Sequence, residues 1–249
     1  MRLLDPQMYE PVFAPLRGKK IGYVRNASGN VGDTIQERAV FQLAGLLGVQ
    51  LRRLKSGRYD GVDELVCHGG GNMGLPGPSM RRRKAALASG LPMTIFPNSW
   101  RAPEPLPERV KLWARERKSI ELYEPRARLA PDLGLAFDFD PSWRERKPTE
   151  GVGVYLRNDK EARFADALPD TNRGPAFSGI EPRDVAGYFL RALRYTKIIT
   201  DALHFAVVGL MMAREVYLLP GQYTKNVGMY EAWLRDLGCR WAESPEDAL

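Results

Sequence analysis

The chain has 249 residues, enough for one large domain or two of roughly 100–130 residues each. A hydrophobic fraction of 44% and a charged fraction of 27% are those of an ordinary soluble globular protein. The longest apolar run, Phe205 to Ala213, falls well short of the ~20 residues of a membrane-spanning helix, and the N-terminus has no apolar signal-peptide region. A cytoplasmic location is therefore expected. The net charge of +7 favours anionic partners. The charge is dispersed, however. Its densest run, Arg81–Lys84, suits a solvated helix end better than a nucleic-acid site, so no nucleic-acid partner is expected. Cys67 and Cys239 lie far apart and fit no metal spacing.

In chain order, Lys20–Arg25 reads as a strand, and Asn26–Asp33 follows as a glycine-containing polar loop. Thr34–Leu47 then places Ile35, Ala39, Leu43 and Leu46 at helical spacing. Strand, polar loop and helix in succession offer backbone N–H groups to an anion. Asp33 is suited to cap the helix at Thr34 or to touch a ligand. Leu51–Leu54 and Asp63–His68 are further strands. The second runs directly into Gly69-Gly-Gly-Asn-Met-Gly74, which is costly in conformational entropy unless a backbone or ligand must approach closely. A tight turn is the plainer alternative.

Arg81–Ser89 reads as a helix, and Pro92–Phe96 as a strand leading into the loop Pro97-Asn-Ser-Trp100. Val110–Ala114 is a strand before a helix beginning at Lys118, and Leu133–Phe137 closes this half. Asp138–Glu150, rich in proline and charge, has the character of a linker. The pattern then restarts. A strand at Gly151–Leu156 ends in Arg157–Glu161, a polar stretch spans about 166–182, and Arg183–Tyr195 is a helix. Tyr195–Thr200 is a strand, Leu203–Ala213 a buried helix and Glu215–Leu219 a strand. Last come a polar loop to Asn226 and a helix through Leu237. The alternation predicts an α/β fold with parallel sheets and crossover helices. Two Rossmann-like domains, 1–140 and 141–249, facing each other across a cleft are its simplest architecture. Ligands of such sheets bind at the carboxyl ends of the strands. Thr200-Asp-Ala-Leu-His204 lies at one such end and carries a carboxylate and one of only two histidines.

The strand-end segments, in this order, resemble the polysaccharide pyruvyl transferases over about residues 20–235. The matching residues are Gly29-Asn-Val-Gly-Asp33, Gly69-Gly-Gly-Asn72, Pro97-Asn-Ser99, Ala114-Arg-Glu116 with Ser119, and Pro131-Asp132. In the second half they are Arg157-Asn-Asp-Lys-Glu161, Thr200–His204 and Tyr223-Thr-Lys-Asn226. The resemblance implies a GT-B-like fold and an enzyme that moves an enolpyruvyl-derived unit from phosphoenolpyruvate to two sugar hydroxyls, forming a cyclic pyruvate ketal. The chain departs from the family pattern at Ala202, where the family often has an arginine expected to help hold the donor. It departs again at Asn98, where the family often has glutamine.

That chemistry requires the donor's charges to be neutralised and its methylene carbon to be protonated as a hydroxyl attacks the adjacent carbon. Phosphate must then leave as the second hydroxyl closes the ring. His204 is the leading acid/base candidate, because an imidazole exchanges protons near neutral pH, and Asp201 could orient it, bind a hydroxyl or cap the following helix. Arg157, Arg115, Lys225 and Asn226 are the donor-binding candidates, guanidinium forks being matched to carboxylate and phosphate. Asn30, Asp33, Gly70, Gly71, Asn72, Asn98 and Ser99 would line the acceptor side. No metal constellation and no cofactor are expected, phosphoenolpyruvate being the donor substrate. The expected partners are a sugar or polysaccharide acceptor, lipid-linked forms included, and the anionic inner membrane surface as a peripheral contact. The competing readings are a GT-B-type sugar-nucleotide glycosyltransferase and a non-catalytic binding protein on the same fold.

Overall fold

A computed structural model describes residues 1–26, 29–55, 57–157, 159, 161–164 and 184–249. The chain divides into two compact units. The N-terminal unit comprises Leu4–Gly29 and Ile35–Asp138; the C-terminal unit comprises Met1–Leu3, Asn30–Thr34 and Phe139–Leu249.

The N-terminal unit opens with a short helix α1 (Glu10–Phe13) flanked by 3-10 turns. There follow β1 (Lys20–Val24), α2 (Val31–Leu46, in this unit from Ile35 onward), β2 (Gln50–Arg53), β3 (Glu64–Cys67), β4 (Gly70–Met73), α3 (Pro78–Ala88), β5 (Met93–Trp100), β6 (Val110–Ala114), α4 (Arg117–Leu122) and β7 (Arg128–Leu129). Among the described residues these strands form a seven-stranded sheet in the order β2-β1-β3-β5-β6-β7, with β4 pairing β5 off that path. Every pairing is parallel.

Alternation along each strand fills both faces of this sheet. Ile21, Tyr23, Val66, Phe96 and Trp113 join one core with Tyr9, Val12, Phe13 and Leu16 of the N-terminal turns and Val40, Leu43 and Leu47 of α2 and its end. Val24, Leu65, Cys67, Met93, Ile95, Val110, Leu112 and Ala114 join the other, which also holds Ala86 of α3. Burial on both faces is what a parallel sheet with crossovers on each side demands, and each large apolar side chain removed from water contributes about 1.5–3 kcal/mol.

The C-terminal unit contains β8 (Glu150–Tyr155), α5 (Val185–Leu193), β9 (Tyr195–Thr200), α6 (Leu203–Met211), β10 (Glu215–Leu218), α7 (Lys225–Met229) and β11 (Arg240–Trp241). Its strands form a second parallel sheet, among the described residues four-stranded in the order β11-β10-β9-β8. The protein is thus an α/β protein with two parallel, Rossmann-like sheets. Among the described residues no helix is long and apolar enough to cross a membrane.

Several sequence expectations are corrected. Helix α2 starts at Val31, not Thr34, and Asn30 caps it. The Asn30 Oδ1 accepts the N–H groups of Gly32 (2.9 Å) and Asp33 (3.3 Å), while Asp33 Oδ2 accepts the Asn30 N–H at 3.0 Å. This is a reciprocal capping box, with Asp33 as its third-position partner and not the cap itself. Leu47, not Leu46, faces the core; Leu46 is 56% exposed. The glycine loop is short extended strand β4, and Pro97–Ser99 lies inside β5. Leu133–Ala136 is a 3-10 turn, nucleated by the Asp132 carboxylate accepting the Gly134 N–H at 2.7 Å. The polar stretch expected at 166–182 lies outside the described residues.

The N-terminal unit is fastened beneath its strand ends by a buried polar network centred on Asp132. Its Oδ2 accepts from Arg115 Nη1 (2.6 Å) and Gln36 Nε2 (2.9 Å), and its backbone oxygen accepts the Tyr9 hydroxyl at 2.8 Å. The Arg115 Nε also donates to Ser99 Oγ at 2.9 Å. Replacing Arg115 with alanine strands a carboxylate in the interior, which costs about 3–5 kcal/mol. Urea denaturation of Arg115→Ala is therefore expected to show a drop of that size at neutral pH; a loss below about 1 kcal/mol would mean that the ion pair does not hold the unit together.

Candidate functional site

In the C-terminal unit, polar side chains gather where β8, β9 and β10 end. Thr200 closes β9 and shapes the turn that follows. Its hydroxyl donates to the Tyr155 oxygen (2.6 Å), tying β9 to β8, and accepts the Ala202 N–H at 3.0 Å. That turn buries Asp201 at the strand end and starts α6 with Ala202 as its cap residue. The Ala202 oxygen accepts the N–H groups of Phe205 and Ala206.

Asp201 is 1% exposed. Its Oδ1 accepts the Arg157 N–H at 2.8 Å, and among the described residues its Oδ2 has no hydrogen-bonding partner of normal geometry. Burial pushes its carboxyl up to about 6, against the opposing pull of the Arg157 backbone N–H and guanidinium. A carboxyl in that range can give or accept a proton near neutral pH. Asn226 secures the turn from the other side, its Nδ2 donating to the Asp201 oxygen (2.8 Å) and the Leu219 oxygen (2.9 Å). One side chain thus joins the ends of β9 and β10.

Arg157 and Lys225 also come together here, but with two carboxylates. The Arg157 guanidinium bonds Asp159 at 2.5 and 3.0 Å and lies 3.3 Å from Glu161. The Lys225 Nζ donates to Glu161 at 2.8 Å and stands 5.2 Å from the Tyr223 ring centroid. Glu161 therefore bridges the two cations predicted to hold the donor, and an incoming anion would compete with it. Asn158 and Lys160 of the same segment lie outside the described residues. Tyr188 of α5 was not anticipated, because an aromatic residue in an apolar helix carries no distinguishing signal. It is buried, desolvation holds its phenol above the usual range, and it senses the charges of Arg157 and Asp201.

His204, in the first turn of α6, is half-buried. A Cβ added to Gly32 would fall 2.2 Å from its Nδ1 and 2.7 Å from its Cβ, so glycine is required at that point for the imidazole to occupy its place. Gly32 belongs to the capping segment Asn30–Thr34, which is part of the C-terminal unit. Within the C-terminal unit, Asn30–Thr34 and the Thr200–His204 segment are in this way neighbours.

The remaining predicted residues are in the N-terminal unit. Asn98 and Ser99 are fully buried; the Asn98 Nδ2 donates to the backbone oxygens of His68 (3.1 Å) and Phe96 (2.8 Å), and Ser99 meets Arg115. The Asn72 Oδ1 accepts from Arg83 Nη1 at 2.8 Å, and Arg83 is paired with the buried Glu104 at 2.6 Å. Arg115, expected at the donor, is fully buried against Asp132. The Glu116 carboxylate caps α4 through the Ser119 N–H (2.9 Å), and the Ser119 hydroxyl accepts the Trp100 N–H at 2.8 Å. His68 pairs with the Tyr23 hydroxyl inside the core. Gly70 and Gly71 line β4, and a side chain at the preceding Gly69 would run into the Pro97 oxygen, at 2.6 Å. These strand-end residues hold the sheet's edge in shape, and only Gly71 and Asn72 among the acceptor candidates here are partly accessible. Among the described residues, no group of three His, Cys, Asp or Glu side chains could hold a metal ion.

No protein-family model matches the sequence. No curated protein matches it either. Among solved structures, the fold is similar to that of a functional uncharacterized protein, KP1_0663 from Klebsiella pneumoniae subsp. pneumoniae NTUH-K2044. The TM-score is 0.71 and the identity 17%, over 96% of this chain and 98% of that one. A weaker likeness, with a TM-score of 0.41 and 13% identity over 91% of this chain and 86% of the other, is to the glycotransferase of kitacinnamycin. The first establishes the α/β fold across the chain.

The Asp201 environment has a consequence for stability. Its folded-state pKa of about 6 lies above the ordinary carboxyl value, so the folded protein binds more protons than the unfolded chain between the two. Stability from this group is full in acid, falls as pH rises from about 4 to about 6, and is then level, a change of about 3 kcal/mol. Asp201→Asn is expected to flatten that part of the pH–stability profile measured by urea denaturation. Parallel profiles for the two proteins would show that the carboxyl titrates normally.

Proposed function

We propose that the protein is a transferase that moves an enolpyruvyl-derived unit from phosphoenolpyruvate to two hydroxyls of a sugar in a polysaccharide or its precursor, forming a pyruvate ketal. The observation that carries this reading is the gathering of Asp201, His204, Arg157, Lys225 and Asn226 around the ends of three adjacent strands. Ordered strand-end segments that resemble the pyruvyl transferases support it. The same reading takes the two Rossmann-like units as those of a GT-B-type enzyme, with the donor on the C-terminal unit and the acceptor on the N-terminal one.

In this reading the acceptor hydroxyl oxygen bonds to the central carbon of phosphoenolpyruvate as the methylene carbon takes a proton. The second hydroxyl then closes the ring as phosphate departs. His204 and Asp201 are the groups that exchange those protons, Asp201 through a carboxyl already raised to about 6. Arg157 and Lys225 neutralise the donor's carboxylate and phosphate once Glu161 yields them. Ala202 supplies no charge, so these two cations carry the work that the resembling family often gives to an arginine at that place. The acceptor belongs to the chemistry of glycans, lipid-linked precursors at an anionic membrane surface included.

Phosphate release from phosphoenolpyruvate, followed with neutral and acidic glycans, tests the reading. Release is expected only when an acceptor is present, and His204→Ala is expected to lower kcat by about 10²–10⁴-fold. No release with any glycan would overturn it. Glu161→Gln is expected to lower the KM for phosphoenolpyruvate by freeing Lys225 and Arg157. A raised KM would instead assign Glu161 to orienting the two cations.

A further inference from the structure

A second set of cations, none of them assigned a role above, lies in the N-terminal unit. β1 and β2 run parallel and adjacent, and their carboxyl ends enclose a cavity of about 120 Å³ lined by Val24, Arg25, Leu54, Lys55, Tyr59 and Arg82. Three separate segments supply its charge. Arg25 follows β1, Lys55 follows β2, and Arg82 comes from α3. Local packing fixes their places. The Leu54 N–H donates to the Tyr23 oxygen at 3.1 Å, which extends the β1–β2 contact by one residue. Gly22 lets Leu54 lie directly on β1, since a Cβ there would fall 2.4 Å from the leucine side chain. Arg82 is anchored by donating from Nη1 to the Asn26 oxygen at 2.9 Å. Leu54 and Tyr59 pack against the core, giving the cavity an apolar floor.

Its electrostatics are one-sided. No carboxylate lines it among the described residues. The nearest counter-charge to Arg25 is Glu37, 3.8 Å away, and Glu37 is also paired with Arg53 at 2.8 Å. Lys55 has no ion-pair partner among the described residues. Three like charges around so small a space repel one another, and an anion there relieves the repulsion. Guanidinium and ammonium groups together suit phosphate oxygens. Size narrows the ligand further. Pockets for whole drug-sized ligands run to about 300–1,000 Å³, so this cavity takes a phosphate group and a few attached atoms, with the rest of the molecule outside.

We propose that the carboxyl ends of β1 and β2 bind the phosphate group of a small phosphorylated ligand such as a sugar phosphate, through Arg25, Lys55 and Arg82. The site is independent of the pyruvyl-transfer reading and holds whichever reaction the protein catalyses. Its position agrees with the rule that open α/β sheets bind ligands beyond their strand ends. It also gives a role to the Arg81–Lys84 run. Arg83 of that run is buried against Glu104, Arg82 reaches the cavity, and Arg81 and Lys84 face solvent.

The test is thermal unfolding of the full chain at low ionic strength, titrated with glucose 1-phosphate, with inorganic phosphate, and with sodium chloride at matched ionic strength. Tm is expected to rise saturably with both phosphates and not with chloride, because a ligand that binds only the folded state stabilises it. Affinity is expected to fall about tenfold or more in Lys55→Gln and Arg82→Gln, as loss of a charge-assisted hydrogen bond implies, and to be kept in Lys84→Gln. Lys55→Gln decides the matter if Arg82→Gln fails to fold without its anchor on Asn26. No rise in the wild-type protein, or equal affinity in wild type and Lys55→Gln, would overturn the proposal. A rise with inorganic phosphate but not with glucose 1-phosphate would restrict the site to the free ion and overturn the sugar-phosphate assignment.

Discussion

Two buried aspartates define what each unit can do. Asp132 sits among donors: Arg115 and Gln36 on one oxygen, the Gly134 N–H on the other. Its charge is compensated by a full cation and by hydrogen bonds, the condition under which a carboxylate can be buried without penalty beyond its desolvation. Asp201 is almost as buried, but among the described residues its support is mainly backbone N–H, that of Arg157 on Oδ1 with Oδ2 lacking a partner of normal geometry, and its carboxyl rises to about 6. The first arrangement fixes a sheet. The second holds a charge the protein only half supports, which is the physical condition of a group that exchanges protons.

This difference follows from the parallel sheets. Strands buried on both faces confine most polar residues to positions at or near their ends, where helices begin and backbone N–H groups are free. Some of those residues must satisfy the ends themselves. Asn98 spans the His68 and Phe96 carbonyls, Asn226 spans those of Asp201 and Leu219, and Glu116 caps α4. The remainder are those the proposed function assigns to a ligand. The two classes have the same residue types and the same places in the fold, and only their hydrogen-bond partners distinguish them.

Much of the fold was legible in sequence because buried strands such as Leu65–Cys67 and Ile198–Thr200 are long enough to show an apolar run before a polar break. β7 and β11, of two residues each, are too short for any period to register. β4 was hidden because Gly70 and Gly71 have no side chain to mark a face, and it forms only by pairing with β5, a contact distant in sequence. Asp33 was read as the cap of α2 since it precedes Thr34; the side chain of Asn30, three residues earlier, reaches two N–H groups and extends the helix back. At the site, the residue types at Asp201, His204, Arg157 and Lys225 were readable, and their neighbourhood around the strand ends followed from topology. The bridging of Arg157 and Lys225 by Glu161 was not readable, because charge order along a loop does not say which side chains meet.

A resemblance carried by strand-end segments is consequently part fold and part chemistry. Pro97–Ser99, Ala114–Glu116 with Ser119, and Pro131-Asp132 are occupied in this chain by bonds within the N-terminal unit. Such segments bear on the fold, which is shared with a neighbour of TM-score 0.71 at 17% identity. In the proposed function the chemistry is assigned to the Asp201 carboxyl, the His204 imidazole seated against Gly32, and cations whose counter-charges are shared or distant. An arginine in a buried pair is already neutralised and cannot also neutralise a substrate. Arg115 thus belongs to the framework, while Arg157 and Lys225, paired with Asp159 and Glu161, are the cations on which the proposed donor site draws.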